Sequence, residues 1–178
     1  MTTFEKVAES NRIEGIEREP TSEELVVHDR VMELGNLTIM DLEKFVTVYQ
    51  RNAKLRVIPG MDVRVGSYVP PKGGEHIRKM LGALLDDINC DRIDAWSAHV
   101  QYECIHPFTD GNGRSGRVIY HWRMGSTLMA DLGFLHAFYY QTLQNCQTLP
   151  KNPRGYSPFE SALTAAIIEA LSAVQKRH

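Results

Sequence analysis

The chain is short of cysteine, of long apolar runs and of low-complexity sequence, and each shortage narrows what it can be. Its three cysteines, Cys90, Cys104 and Cys146, are scattered and odd in number. That usage fits a reducing compartment better than a disulfide framework, and no pair has metal-ligand spacing. No stretch approaches the roughly eighteen apolar residues that a membrane span requires. Met1 to Arg12 mixes acids with bases and has no apolar signal core. A cytoplasmic setting is therefore expected, with delivery into another cell as an effector left open. There is no excess of basic charge either, since the net charge is −2 and the pI about 6.4, which argues against nucleic acid as the partner.

That near-neutral total hides an uneven distribution. Residues 1–50 carry five Lys or Arg against eleven Asp or Glu, whereas residues 51–80 carry seven against two. A basic middle segment suits the phosphates of a nucleotide or an acidic protein face. Hydrophobic residues at 43% and charged residues at 24% are ordinary for a globular chain, and 178 residues make one domain, taken as 1–178. Such a domain buries roughly two-thirds of its unfolded surface.

Apolar spacing predicts a mostly helical chain. Phe4, Val7 and Ala8 indicate a helix over about 3–14, with Gly15 near its C-cap. Thr21 or Ser22 caps a second helix carrying Leu25, Val26, Val31 and Leu34. Thr38 with Asp41 opens a third, lined by Leu42, Phe45, Val46 and Tyr49. Ile77, Met80, Leu81, Leu84, Leu85 and Ile88 mark a fourth at i, i+3, i+4, i+7 spacing. Ile93, Trp96, Val100 and Cys104 mark the next. Trp96, His99 and His121 read as core or surface residues. Val118, Ile119, Trp122 and Leu128 predict a helix that Asp131-Leu132-Gly133 breaks. An apolar stretch at 134–143, a loop at 149–155 and a closing helix with Phe159, Leu163, Ala166, Ile167, Ala170, Leu171 and Val174 follow. Between the third and fourth helices, Pro59-Gly60 and the alternation of Val63 and Val65 with charged residues predict a β-hairpin over about 55–69.

The chemistry concentrates in Ile105-His106-Pro107-Phe108-Thr109-Asp110-Gly111-Asn112-Gly113-Arg114-Ser115-Gly116-Arg117. His106 is a residue that can take a proton near neutrality. Pro107 disfavours helical backbone before it, so a helix should stop there and leave the imidazole at its end. Asp110 is a hard oxygen ligand suited to Mg²⁺ already held by phosphates. Gly111 and Gly113 let backbone N–H groups face an anion at the start of a helix. Arg114 and Arg117, three apart, can fork onto phosphate oxygens. Gly111 to Gly116 also spells G-x-G-x-x-G, with Asp131 twenty residues past the first glycine. A dinucleotide site needs a strand before those glycines, and residues 95–104 lack a β-branched run, so the match is accidental.

His-Pro-Phe-x-Asp-Gly-Asn-Gly-Arg-x-x-Arg, complete at His106 to Arg117, resembles the signature of the Fic (filamentation induced by cAMP) family. The resemblance implies an all-α fold and a nucleotidyltransferase that moves AMP from ATP, with Mg²⁺, onto a Ser, Thr or Tyr hydroxyl of a protein. It makes His106 the general base and Asp110 the metal ligand. Gly111, Asn112, Gly113, Arg114 and Arg117 would bind the nucleotide, with the Asn112 amide aiding the charge at the α-phosphorus, and Phe108 would anchor the loop in the core. The hairpin at 55–69 becomes a flap that aligns a protein target by strand addition. Ser10-Asn11-Arg12-Ile13-Glu14-Gly15 is similar to the family's S/T-x-x-x-E-G/N inhibitory motif, in which the glutamate pairs with the last arginine of the loop, here Arg117. The residues alone also allow Glu14 to pair with Arg18 on a solvated helix. Relatives that transfer UMP, phosphocholine or phosphate, removal of AMP, and a non-catalytic nucleotide-binding module stand as alternatives. Gly113 and Arg117 argue for nucleotidyl transfer over the kinase-like branch. Self-modification and a homo-oligomer are left open.

Overall fold

The computed structural model describes residues 2–66 and 68–125. The apolar stretch at 134–143, the loop at 149–155 and the closing helix expected near the C-terminus lie outside them. Within the described residues the fold is all-α, with helices α1 (Thr3–Ile13), α2 (Ser22–Met32), α3 (Ile39–Tyr49), α4 (Glu75–Asn89), α5 (Ala95–Ile105) and α6 (Asn112–Met124). No helix among these residues is long and apolar enough to cross a membrane.

The first three helices begin at reciprocal caps. Thr2 with Glu5, Thr21 with Glu24 and Thr38 with Asp41 each exchange side-chain and backbone hydrogen bonds, which satisfies donors that a helix start leaves open. Asp94 caps α5 by accepting from the Ser97 N–H at 2.9 Å. The expected starts at Thr21 and Thr38 stand as read. The stripes stand with three exceptions: Phe4, Val26 and Met80 face outward, and Val27 takes the inward place on α2.

The buried core joins α2 to α6 through Val31, Leu42, Phe45, Leu81, Leu85, Ala98, Tyr102, Phe108 and Ile119, with α5 and α6 packed closely together. Connections tie the ends. The Asn89 amide donates to the Leu37 carbonyl at 2.9 Å and accepts from its N–H at 2.8 Å, fixing the end of α4 against the approach to α3. Trp122 donates to the Leu34 carbonyl at 2.9 Å. Helix α1 lies against α2 and α6, and Glu24, almost wholly buried, holds it there. That carboxylate accepts from Asn11 Nδ2 at 3.2 Å and from both terminal nitrogens of Arg18 at 2.9 and 2.6 Å.

The described part of the motif helix ends at Met124, where Gly125 turns to φ 61°, and Leu128 lies outside the described residues. A positive φ suits glycine, which has no Cβ to collide with the carbonyl. One expectation is corrected: among the described residues the hairpin over 55–69 is absent as a pair of strands. Leu55 forms an isolated antiparallel bridge with Phe108, and Val65 closes one onto Tyr68. The backbone groups a hairpin would use are engaged elsewhere. Arg56 N–H donates to the Pro107 carbonyl at 2.9 Å, Gly74 N–H donates to the Arg56 carbonyl at 2.9 Å, and the Asp62 carboxylate takes the Gly73 N–H at 2.8 Å.

Candidate active site

Helix α5 ends at Ile105, as Pro107 requires, and His106 takes the left-handed backbone at φ 48°, ψ 61°. For a side chain with a Cβ that conformation costs about 1 kcal/mol or more and persists where surrounding contacts over-determine it. Arg56 supplies them. Its guanidinium is fully buried and donates to the carbonyls of His106 (2.7 Å), Ile105 (2.9 Å), Pro71 (2.9 Å) and Met61 (3.2 Å). Burial lowers the pKa of the group, opposed by nearby Asp62. Lys54 and Thr109 add two more hydrogen bonds across the same seam, at 2.9 and 3.0 Å. Sequence reading placed Arg56 in the flap and missed this role. The one hint was an arginine set between apolar Leu55 and Val57.

The loop then turns through Gly111, whose φ of 78° again favours glycine, into α6. Phe108 is buried in the core, as expected. The Asn112 side chain is engaged within the loop itself. Its amide donates to the Phe108 carbonyl and accepts from the Phe108 N–H, both at 2.8 Å, and the residue is 2% exposed. It staples the loop. What remains to face an anion are the backbone N–H groups of the first turn of α6, where the helix dipole is also favourable. Ser115, from Tyr102 at 2.6 Å and to the Gly111 carbonyl at 2.9 Å, fixes that turn to α5.

Asp110 is exposed, and one carboxylate oxygen accepts the Gly111 N–H at 2.6 Å. No group of three or more His, Cys, Asp or Glu that could hold a metal occurs among the described residues. A lone carboxylate at an anion cradle fits Mg²⁺ that arrives with phosphates, since that ion keeps most of its oxygen ligands from water and substrate.

The two arginines of α6 part ways. Arg114 is buried with its guanidinium carbon 4.9 Å from the centre of the Tyr49 ring, a cation–π contact with α3. Arg117 reaches α1: Nε donates to Ser10 Oγ at 2.8 Å, and Nη2 donates to the Ser10 carbonyl at 3.0 Å and to Glu14 Oε1 at 2.6 Å. Glu14 is the C-cap of α1, and Gly15 beyond it has φ 73°. Arg18 pairs with Glu24 instead, so the alternative pairing of Glu14 is not made. The Glu14 carboxylate lies against Gly113, where an added Cβ would meet Oε1 at 2.4 Å.

Ser10, Glu14, His106, Asp110, the glycine turn, Arg114 and Arg117 thus gather around α6, although they arise from two distant parts of the sequence. These groups sit on an all-α domain at a helix N-terminus, a place whose open N–H groups and dipole suit an anion. The model of the Fic/DOC family matches residues 25–124, and the chain belongs to that family. The match begins after α1, so it does not cover Ser10 and Glu14, whose contacts with Arg117 are read from the structure alone.

Proposed function

We propose that the protein is an adenylyltransferase that moves AMP from ATP to a Ser, Thr or Tyr hydroxyl of a protein, and that Glu14 holds it inactive. The observation that carries the reading is the start of α6, which follows His106 and Asp110 in one loop, has no side-chain cap on its first N–H groups and carries Arg114 and Arg117. His106 takes the proton of the incoming hydroxyl. The oxygen bonds to the α-phosphorus, the bond to the β-phosphate oxygen breaks, and pyrophosphate leaves with the electron pair. Backbone N–H groups at Gly111 to Gly113 stabilise the charge that grows on the α-phosphoryl oxygens. Arg114 and Arg117 hold the β- and γ-phosphates and favour pyrophosphate departure. Asp110 would hold Mg²⁺, which supplies further neutralisation between the phosphates. A general base of this kind contributes on the order of 10²–10⁴ in rate.

Inhibition follows from charge. With Glu14 on Arg117, the guanidinium meant for the terminal phosphate is occupied, and the carboxylate repels that phosphate. The exposed Ile58 and Val69 of the 55–69 segment offer a target an apolar edge beside the loop. A second reading has one supporting contact. The Glu14 carboxylate over Gly113 is also placed to orient a water, and so to release AMP from a modified protein.

The experiment is intact-mass and peptide mass analysis after incubating the Glu14→Gly chain with Mg·ATP and cell lysate. Addition of AMP to itself or to a lysate protein, lost with His106→Ala, supports transfer. Addition of phosphate alone, or no change in a folded sample, rejects it. If Glu14→Gly instead abolishes AMP release from a modified target, the second reading stands.

A further inference from the structure

One side of α5 carries His99, Glu103 and His106 at spacings of four and three, which stack them along the helix toward the loop. Glu103 is the only carboxylate of α5, and it is 3% exposed. Its Oε2 lies 3.5 Å from His106 Nδ1. That ring nitrogen is buried and has no other hydrogen-bond partner among the described residues. The other carboxylate oxygen presses on α6, where Gly116 makes room for it. A Cβ at 116 would stand 2.4 Å from Glu103 Oε1 and 2.9 Å from His99 Nδ1. Two elements are therefore shaped around one carboxylate set behind the candidate base.

Packing alone does not account for it. An apolar side chain of similar volume fills buried space at least as well as a carboxylate. Burial pushes the Glu103 carboxyl up, but the His106 contact, with His99 and Arg117, outweighs it and holds the group below the ordinary carboxylate range. Tyr102 is the remaining titratable neighbour, and burial raises its phenol well above its ordinary value. The carboxylate is thus the anionic member of a cluster whose other members are imidazoles, a phenol and a guanidinium.

We propose that Glu103 is a positioning residue for His106: it accepts the Nδ1–H proton and so fixes the ring in the tautomer whose Nε2 keeps its lone pair. Which imidazole nitrogen bears the proton is set by the hydrogen bond that the other nitrogen makes. A separation of 3.5 Å is long for that bond, and contacts of this kind tighten when substrate is bound. The proposal rests on His106 acting as the base, and it gives Gly116, an unassigned position of the motif, a function.

The test has two arms. In the full chain without nucleotide, long-range ¹⁵N spectra should show neutral His106 with the proton on Nδ1, and Glu103→Met should shift it to Nε2–H. A parent chain already in the Nε2–H form, or an unchanged tautomer in Glu103→Met, overturns the proposal. This arm needs no transfer activity, so it stands even if the adenylylation reading fails. In the Glu14→Gly chain, labelling by ATP with a tagged α-phosphate should slow about 10- to 100-fold in Glu103→Met, the loss typical of removing a group that orients an imidazole. The ATP concentration giving half the maximal rate should stay within about twofold. Glu103→Gln, whose carbonyl can still accept from Nδ1, should recover part of the rate. Equal rates for folded Met, Gln and parent chains would reduce Glu103 to a packing residue. Should the Met variant not fold, Gly116→Ala, which displaces the carboxylate while retaining it, must give the same tautomer shift.

Discussion

The Arg56 guanidinium donates to the carbonyl of His106 at 2.7 Å, across 50 residues of sequence. The same group satisfies three further carbonyls, so one side chain closes the end of α5, sets the turn at His106 and gathers the 55–69 segment onto the loop. The loop's shape is held largely by a cation that, among the described residues, has no carboxylate hydrogen-bonded to it.

Replacing Arg56 by Met should therefore lower stability by about 3 kcal/mol or more, because buried carbonyls lose their donor. Arg56→Lys should recover little, since an ammonium cannot reproduce a planar fork of five donors. Denaturant unfolding checks both. A change under about 1 kcal/mol in Arg56→Met would mean that water takes over the four acceptors.

Glu14→Gly should raise the rate of AMP incorporation about tenfold or more. A charge-assisted hydrogen bond is worth about 1.5 kcal/mol or somewhat more, and partial exposure of Glu14 keeps the figure at the low end. Labelling of self and lysate proteins with tagged ATP reads the outcome. Unchanged labelling at both low and saturating ATP would show that the contact with Arg117 does not restrain the enzyme.

Asn112→Ala removes both hydrogen bonds to Phe108 and should cost about 2 kcal/mol. Transfer should fall with it, since the first turn of α6 loses its anchor. Asn112→Asp should fall between parent and Ala, because the acceptor survives and the donor does not. Thermal melts and tagged-ATP labelling of the same samples separate stability from rate.

Acid should destabilise the fold in a window set by three buried histidines, His28, His121 and His99, the last also pulled down by burial. His28 Nε2 and His121 Nδ1 stand 3.2 Å apart in a buried site. Burial, with Lys6 adding and Asp29 opposing, pulls His28 from 6.5 to about 4, and burial with His28 and Lys6 pulls His121 down as well. Between those values the unfolded chain binds more protons than the folded one, so stability falls as pH drops from 6.5 to about 4. His28 alone accounts for about 3 kcal/mol across the window. Glu24 and Glu103, held below the usual 4.5, add acid sensitivity only beneath that value. Melting temperatures of parent and His28→Gln chains from pH 7 to 4.5 should diverge, with the variant flatter.

Much of this was legible because the chemistry is local. His106, Asp110 and the two arginines sit in one short motif, and Thr21, Thr38 and Pro107 announce helix boundaries by their own conformational preferences. Glu14 became legible only through likeness to a family pattern, since an acid near a helix end is otherwise ordinary. The hydrogen bonds of Arg56 and Asn112 were missed for a shared reason. Their partners are backbone carbonyls and amides, which every residue carries and no pattern displays. The hairpin failed likewise: Val63 and Val65 alternate properly, but the segment's backbone is claimed by the loop around 107 and by Arg56. Glu103 left one faint mark, a lone acid in an apolar helix.

Gly113 has a consequence for how the restraint could be lost. A side chain there would drive the Glu14 carboxylate away, yet it would also crowd the turn that, on the proposed function, receives a triphosphate. Damage to the catalytic loop therefore offers no route to a permanently active allele. A genetic screen for hyperactive clones should return substitutions in α1 or at its clasp with Glu24, leaving the loop glycines untouched.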